Sequence, residues 1–143
     1  MKDKLENAHS LLPDQCKNYK RLTTSKRRFD APDAVDTAKC DQFGKSNSQE
    51  DWQGDGFYKI EGDAGTKLSE NCSGYKYGNC GTHLGGHLIG GHPELIGQTV
   101  VRNVKFEGCV YNNSIAIEVT NCGTFFVYHL KEVGRCALGY CTE

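Results

Sequence analysis

Eight cysteines constrain this chain more than any other feature: Cys16, Cys40, Cys72, Cys80, Cys109, Cys122, Cys136 and Cys141. None belongs to a Cys-x-x-Cys pair, which argues against zinc ribbons, zinc knuckles and thioredoxin-type redox motifs. An even number at wide, irregular spacing predicts four structural disulfides formed in an oxidising compartment. Each such bridge contributes about 2–4 kcal/mol by restricting the unfolded chain. The low apolar content, the single Met and the single Trp fit a modest core that needs these staples. Spacing alone does not select the pairing.

The chain has 143 residues, enough for one domain with a short N-terminal extension, assigned to residues 1–15. A net charge of −1 gives no reason to expect nucleic acid or an anionic membrane as a partner. Residues up to Cys40 lean basic, and Lys26-Arg27-Arg28 reads as an exposed basic turn or, less simply, a processing site. No run is long enough to span a membrane. Leu5 to Leu12 is too polar for a signal-peptide core, so with its cysteines the chain is read as a mature secreted form.

The periodicity predicts a mostly β fold: a small, disulfide-stapled antiparallel β domain with long loops and a short N-terminal helix over Lys2–Leu12, stopped by Pro13. Phe57–Glu61 is a compact strand closed by the turn Gly62–Gly65, and Thr66–Glu70 continues as a second short strand. Thr99–Phe106 carries Val100, Val104 and Phe106 on one parity. Ser114–Thr120 alternates through Ile115, Ile117 and Val119, and Thr124–Leu130 follows the turn Asn121-Cys122-Gly123. These last two strands form the strongest hairpin in the chain. Cys80–Pro93 holds five glycines and three histidines and reads as a shaped loop, because helices and central strands both disfavour so much glycine.

Catalytic motifs are lacking. There is no Gly-x-Ser-x-Gly elbow, His-Glu-x-x-His, P-loop or dinucleotide fingerprint, and the expectation is a chain that is not an enzyme. Asp51, Gln53, Asp55 and Gly56 imitate the start of a calcium loop, but Gly62 stands where that pattern requires glutamate. The sharper chemical option is a metal site for Zn or Cu at His83, His87 and His92, since imidazole suits both ions. Against it, His-x-x-x-His needs a helix to align its rings, and these glycines oppose one. His83 would otherwise donate to a backbone carbonyl and His92 would cap a turn. Asn71-Cys72-Ser73 and Asn112-Asn113-Ser114 both fit the N-glycosylation pattern. Asn112 is the better candidate, because disulfide formation at Cys72 competes with modification of Asn71. Trp52, Tyr58, Tyr75, Tyr77, Tyr111 and Tyr128 supply either an aromatic binding surface or simply the core.

The order Phe57-Tyr58-Lys59-Ile60-Glu61-Gly62-Asp63-Ala64-Gly65-Thr66-Lys67-Leu68, Cys72, Cys80-Gly81-Thr82, Gly90-Gly91-His92-Pro93, Val101-Arg102, Cys109, Ile117-Glu118-Val119, Cys122, Phe126-Val127-Tyr128-His129-Leu130, Cys136 and Tyr140-Cys141-Thr142 resembles the eight-cysteine domain of the uromodulin and pancreatic secretory-granule glycoprotein family, found in zona-pellucida-type extracellular proteins. The likeness spans residues 16–142. It implies the pairs Cys16–Cys122, Cys40–Cys136, Cys72–Cys109 and Cys80–Cys141. Some members carry one further bridge, and this chain lacks both of its halves, with Val110 beside Cys109. The resemblance also implies a non-enzymatic extracellular module. In uromodulin-like proteins the domain is implicated in displaying a glycan to bacterial adhesins, from an asparagine in a Trp-Leu-Asn-Gly-x-His-Pro stretch. The matching stretch here, His87-Leu88-Ile89-Gly90-Gly91-His92-Pro93, has neither that tryptophan nor that sequon, so the role does not carry over through this residue.

The leading expectation is therefore a secreted adhesion module whose partner is an extracellular protein or a glycan. Two alternatives stand beside it: a structural matrix component, and a metal or small-ligand carrier using the loop 81–93.

Overall fold

A computed structural model describes residues 12–109 and 114–143. The helix expected over Lys2–Leu12 lies outside the described residues but for Leu12. Among the described residues the only helical elements are short 3-10 turns, at Asp14–Cys16, Ser25–Arg27, Gly62–Ala64 and Cys72–Gly74.

Seven strands form one curled sheet: β1 (Lys20–Leu22), β2 (Gly56–Ile60), β3 (Leu84–Ile89), β4 (Thr99–Phe106), β5 (Ser114–Asn121), β6 (Phe126–Leu130) and β7 (Leu138–Tyr140). Their order is β1-β2-β6-β5-β4-β3-β7. The fold is mostly β, and its middle is antiparallel as the alternation predicts. The hairpin β5–β6 pairs Val119 with Tyr128, and β4–β5 pairs Val104 with Ile115. Both edges are parallel: β1 runs with β2, and β7 with β3.

Strand alternation sends Tyr58, Ile60, Leu88, Val104, Phe106, Ile117, Val119, Tyr128 and Leu130 to one face. There they pack with Leu22, Trp52, Leu68, Leu138 and Tyr140. The opposite parity of β2 and β6 builds a smaller cluster, in which Val127 and the Cys16–Cys122 bridge meet Leu12, Tyr19, Phe57 and Phe125. This second cluster ties the residues before β1 to the middle of the sheet.

Three expectations change. First, the glycine-rich stretch is not all loop. Its middle is β3, hydrogen-bonded between β4 and β7. The glycines are there for closeness: a Cβ on Gly86 would lie 2.5 Å from Phe106 Cε1 and 2.7 Å from Val104 Cγ1. Second, Thr66–Glu70 is not a strand, since only Leu68 makes an isolated bridge, to Thr142. Third, several aromatics proposed as a binding surface are core. Trp52, Tyr58 and Tyr128 are buried, and Trp52 stacks on Tyr58 with centroids 5.0 Å apart. Of that set Tyr77 is exposed, and Tyr111 lies outside the described residues.

The basic triplet is also resolved differently from its sequence reading. Arg27 is fully buried. Its guanidinium bonds Asp41 through Nη1 and Nη2 (2.8 and 2.6 Å) and Asp51 through Nε and Nη2 (2.9 and 2.7 Å), and reaches the Tyr140 carbonyl at 3.1 Å. A planar fork with five donors suits two carboxylates at once. Asp51 also accepts from the Thr23 and Thr24 N–H groups, and Asp41 from that of Tyr140. The charged triad therefore pins β1's exit, the 41–51 loop and β7 together. It also removes Asp51 from any calcium loop.

Four disulfides complete the frame: Cys16–Cys122, Cys40–Cys136, Cys72–Cys109 and Cys80–Cys141. These are the same pairs that the resemblance implies, and no cysteine is free.

Candidate functional site

β3 ends at Ile89, and the chain must turn before it enters β4 at Thr99. Gly90 and Gly91 make that turn with φ of 98° and 81°, a region that side chains with a Cβ rarely enter. The turn also allows a close approach: Arg102, projecting from β4, donates Nε–H to the carbonyls of both glycines, at 3.1 and 3.0 Å. A Cβ on Gly90 would lie 2.8 Å from Arg102 Cδ.

His92 anchors the next step. Its Nε2 lies 2.7 Å from the Tyr128 hydroxyl, which also accepts the Leu68 N–H at 3.0 Å. With that acceptance made, the phenol proton points to Nε2, and the network assigns the ring proton to Nδ1. Nδ1 has no hydrogen bond among the described residues, although Glu70 Oε1 stands 3.4 Å away. At that distance the Nδ1–H faces the carboxylate without closing a full hydrogen bond. Burial lowers the His92 pKa, opposed by Glu70, which suits a neutral ring. Burial likewise raises the Tyr128 phenol far above its ordinary value. The ring of His92 leans on Phe126, centroids 4.5 Å apart.

Asn121, at the end of β5, fixes the second half of the loop. Its Nδ2 donates to the Pro93 carbonyl at 2.9 Å, and its own carbonyl accepts the Gly97 N–H at 2.7 Å. Between these anchors Leu95 and Ile96 stand 68% and 69% exposed. The loop thus has a rigid, polar-bonded base and an apolar tip. A groove of about 520 Å³ lies on one side, against Lys67, Glu70 and Phe126. Another of about 440 Å³ lies on the other, against Gln98, Val100 and Arg102.

The three histidines do not converge. His83 stacks on Tyr77 and places Nε2 2.8 Å from the Val35 carbonyl. His87 is buried, with Nδ1 2.8 Å from Ser69 Oγ and Nε2 unpartnered among the described residues. Burial pushes its pKa down to about 4. Its ring nitrogen and the sulfurs of Cys80 and Cys141 all lie within 4.8 Å of one another. Those sulfurs are bonded to each other, however, and metals bind thiolates. Asn71 is exposed, and Asn112 lies outside the described residues.

Sequence reasoning missed Glu70, Leu95, Ile96, Arg102 and Asn121 as parts of this site, and offered Tyr128 only as a surface or core aromatic. One signal was available: Leu95-Ile96 is an apolar pair between Pro93 and Gly97, outside any alternating strand and therefore short of a core to enter.

The fold and site define a disulfide-stapled β module whose buried charges and histidines are taken up in structure, and which presents a loop with an exposed apolar tip. Residues 58–142 match the family model of the uromodulin-like domain of eight cysteines, and the chain belongs to that family of disulfide-rich extracellular domains. Among curated proteins it is 26% identical over 136 residues to the rat pancreatic secretory granule membrane major glycoprotein GP2, covering 91% of this chain and 23% of that protein. The dog protein of the same name gives 26% over 135 residues, with the same shares covered. Rat uromodulin is 28% identical over 92 residues, covering 62% of this chain and 14% of uromodulin. The chain therefore spans less than a quarter of each of these relatives. Among the described residues no helix is long and apolar enough to cross a membrane.

Proposed function

We propose that the chain is a secreted, non-enzymatic adhesion module that engages an extracellular protein through the loop Gly90–Gln98. The observation that carries this reading is the exposure of Leu95 and Ile96 on a loop whose base is held by Arg102, His92 and Asn121. Apolar side chains on a pre-ordered loop lose little conformational entropy on binding, so more of their burial counts toward affinity. A glycan ligand is less well supported, because Trp52, Tyr58 and Tyr128, which could have offered stacking faces, are inside. The carrier reading draws no support from histidines that each hold a separate partner. Titration with Zn or Cu by calorimetry tests it directly, and heat lost in His87→Ala would revive it.

The decisive experiment probes arrays of extracellular proteins and of glycans with the whole chain and with Leu95→Asp/Ile96→Asp. The expected outcome is a protein hit that the double variant loses while its unfolding midpoint stays unchanged. A glycan hit, or a protein hit that survives the double substitution, overturns the assignment.

A further inference from the structure

We infer that Asn71 carries an N-linked oligosaccharide. The reading is independent of the ligand assigned to the Gly90–Gln98 loop. Asn71-Cys72-Ser73 has the acceptor pattern, and the structure adds what the pattern lacks. Asn71 is exposed, at the mouth of the turn Cys72–Gly74. The Ser73 hydroxyl donates to Asn71 Oδ1 at 3.2 Å, a bond that leaves Asn71 Nδ2, the atom a sugar is joined to, outside it. The backbone before them is fixed by the Asn71 N–H on Ser69 Oγ at 3.1 Å.

Gly74 supplies the space. A Cβ at that position would fall 2.5 Å from Asn71 Nδ2 and 2.9 Å from its Cγ, so only glycine at position 74 tolerates the Asn71 amide where it stands. Cys72 bonds Cys109, and this uses its side chain without engaging the Asn71 amide. The folded domain therefore accommodates both the bridge and a sugar on the neighbouring residue.

The transfer requires a lipid-pyrophosphate-linked oligosaccharide as donor, as supplied in the secretory pathway. Asn71 Nδ2 bonds to the anomeric carbon and gives up one proton, which neutralises one charge of the departing pyrophosphate. The bond from that carbon to the pyrophosphate oxygen breaks, and the lipid pyrophosphate departs with the electron pair. Closure of Cys72–Cys109 competes with this step, since a transferase needs the acceptor segment extended. Glu70, the residue before Asn71, stands 3.4 Å from His92 Nδ1 and lines the groove beside the presented loop.

The test is site-specific, because Asn112 heads a second sequon. The chain is secreted from a eukaryotic host, deglycosylated by peptide-N-glycosidase in heavy-oxygen water, reduced, alkylated and cut with trypsin. The peptide Leu68–Lys76 is then sequenced by mass spectrometry. The expected result is heavy-oxygen aspartate at position 71, lost in Ser73→Ala, retained in Ser73→Thr, and increased in Cys109→Ser, where the competing bridge cannot close. Unmodified asparagine at position 71 throughout the secreted wild-type chain overturns the proposal, whatever the variants give.

Discussion

Replacing Arg27 with Met removes the cation from a buried cluster in which two carboxylates face one guanidinium. After the change Asp41 retains the Tyr140 N–H, and Asp51 retains the Thr23 and Thr24 N–H groups, but neither has a counter-charge. Deleting one partner of a buried pair typically costs about 3–5 kcal/mol. Here the lost partner serves two acids, so the expected cost at neutral pH is at least about 4 kcal/mol, a large share of the roughly 5–15 kcal/mol that holds a domain folded. The sign of the pH dependence is a stricter test. Burial works to raise the Asp51 pKa, but the Arg27 charge and hydrogen bonds, helped by the two N–H groups, hold it below its ordinary value. In the wild type, stability from Asp51 is present above the carboxylate range and is lost as pH falls through its lowered pKa. In Arg27→Met burial acts without the guanidinium, the pKa rises, and protonation relieves the variant. The stability gap should therefore narrow between pH 7 and pH 4. Denaturant unfolding with disulfides intact measures it at both values, and Arg27→Met/Asp41→Asn/Asp51→Asn should recover much of the loss. A cost below about 1 kcal/mol, or one that does not change with pH, would refute this account of the cluster.

Three further outcomes are expected. Between its unfolded pKa near 6.5 and its folded value of about 4, buried His87 makes stability fall as pH falls, by up to about 1.4 kcal/mol per pH unit; His87→Gln should flatten that slope in urea titrations. Gly86→Ala drives a methyl into Phe106 and Val104 and should cost about 1–3 kcal/mol or more, read as a lowered unfolding midpoint. Removing Cys16–Cys122, with a separation of 106, should destabilise more than removing Cys72–Cys109, with a separation of 37; loop-closure entropy predicts a difference of about 1 kcal/mol in calorimetry.

Much of the sheet was legible because its middle strands obey a local rule. Ile115, Ile117 and Val119 alternate, and so do Val104 and Phe106, and the turn at Cys122-Gly123 closes the hairpin between β5 and β6. What escaped depends on partners distant in sequence. Gly86 looks like a loop residue until Phe106 and Val104, from β4, fill the space that a side chain would take. Arg27 looks like an exposed charge until Asp41 and Asp51, 14 and 24 residues away, close on it. The candidate site was legible only in its frame, the Gly90-Gly91-His92-Pro93 motif. Its supports, Arg102, Asn121 and Tyr128, come from three different strands, and no short pattern joins them.

The Cys16–Cys122 bridge also sets how the module answers a pull on the two ends of this chain. Tension entering from the N-terminal side crosses at Cys16 directly to Cys122, so the span between them, a sequence separation of 106, cannot be paid out along the chain. That withholds roughly 350 Å of contour from extension. The stretch that does bear load runs from Cys122 through β6, which lies between β2 and β5 and must be drawn out of the middle of a sheet rather than peeled from its rim. Cys40–Cys136 and Cys80–Cys141 tether that same stretch farther along. Under load such a module behaves as a short, stiff link that holds its loops in place.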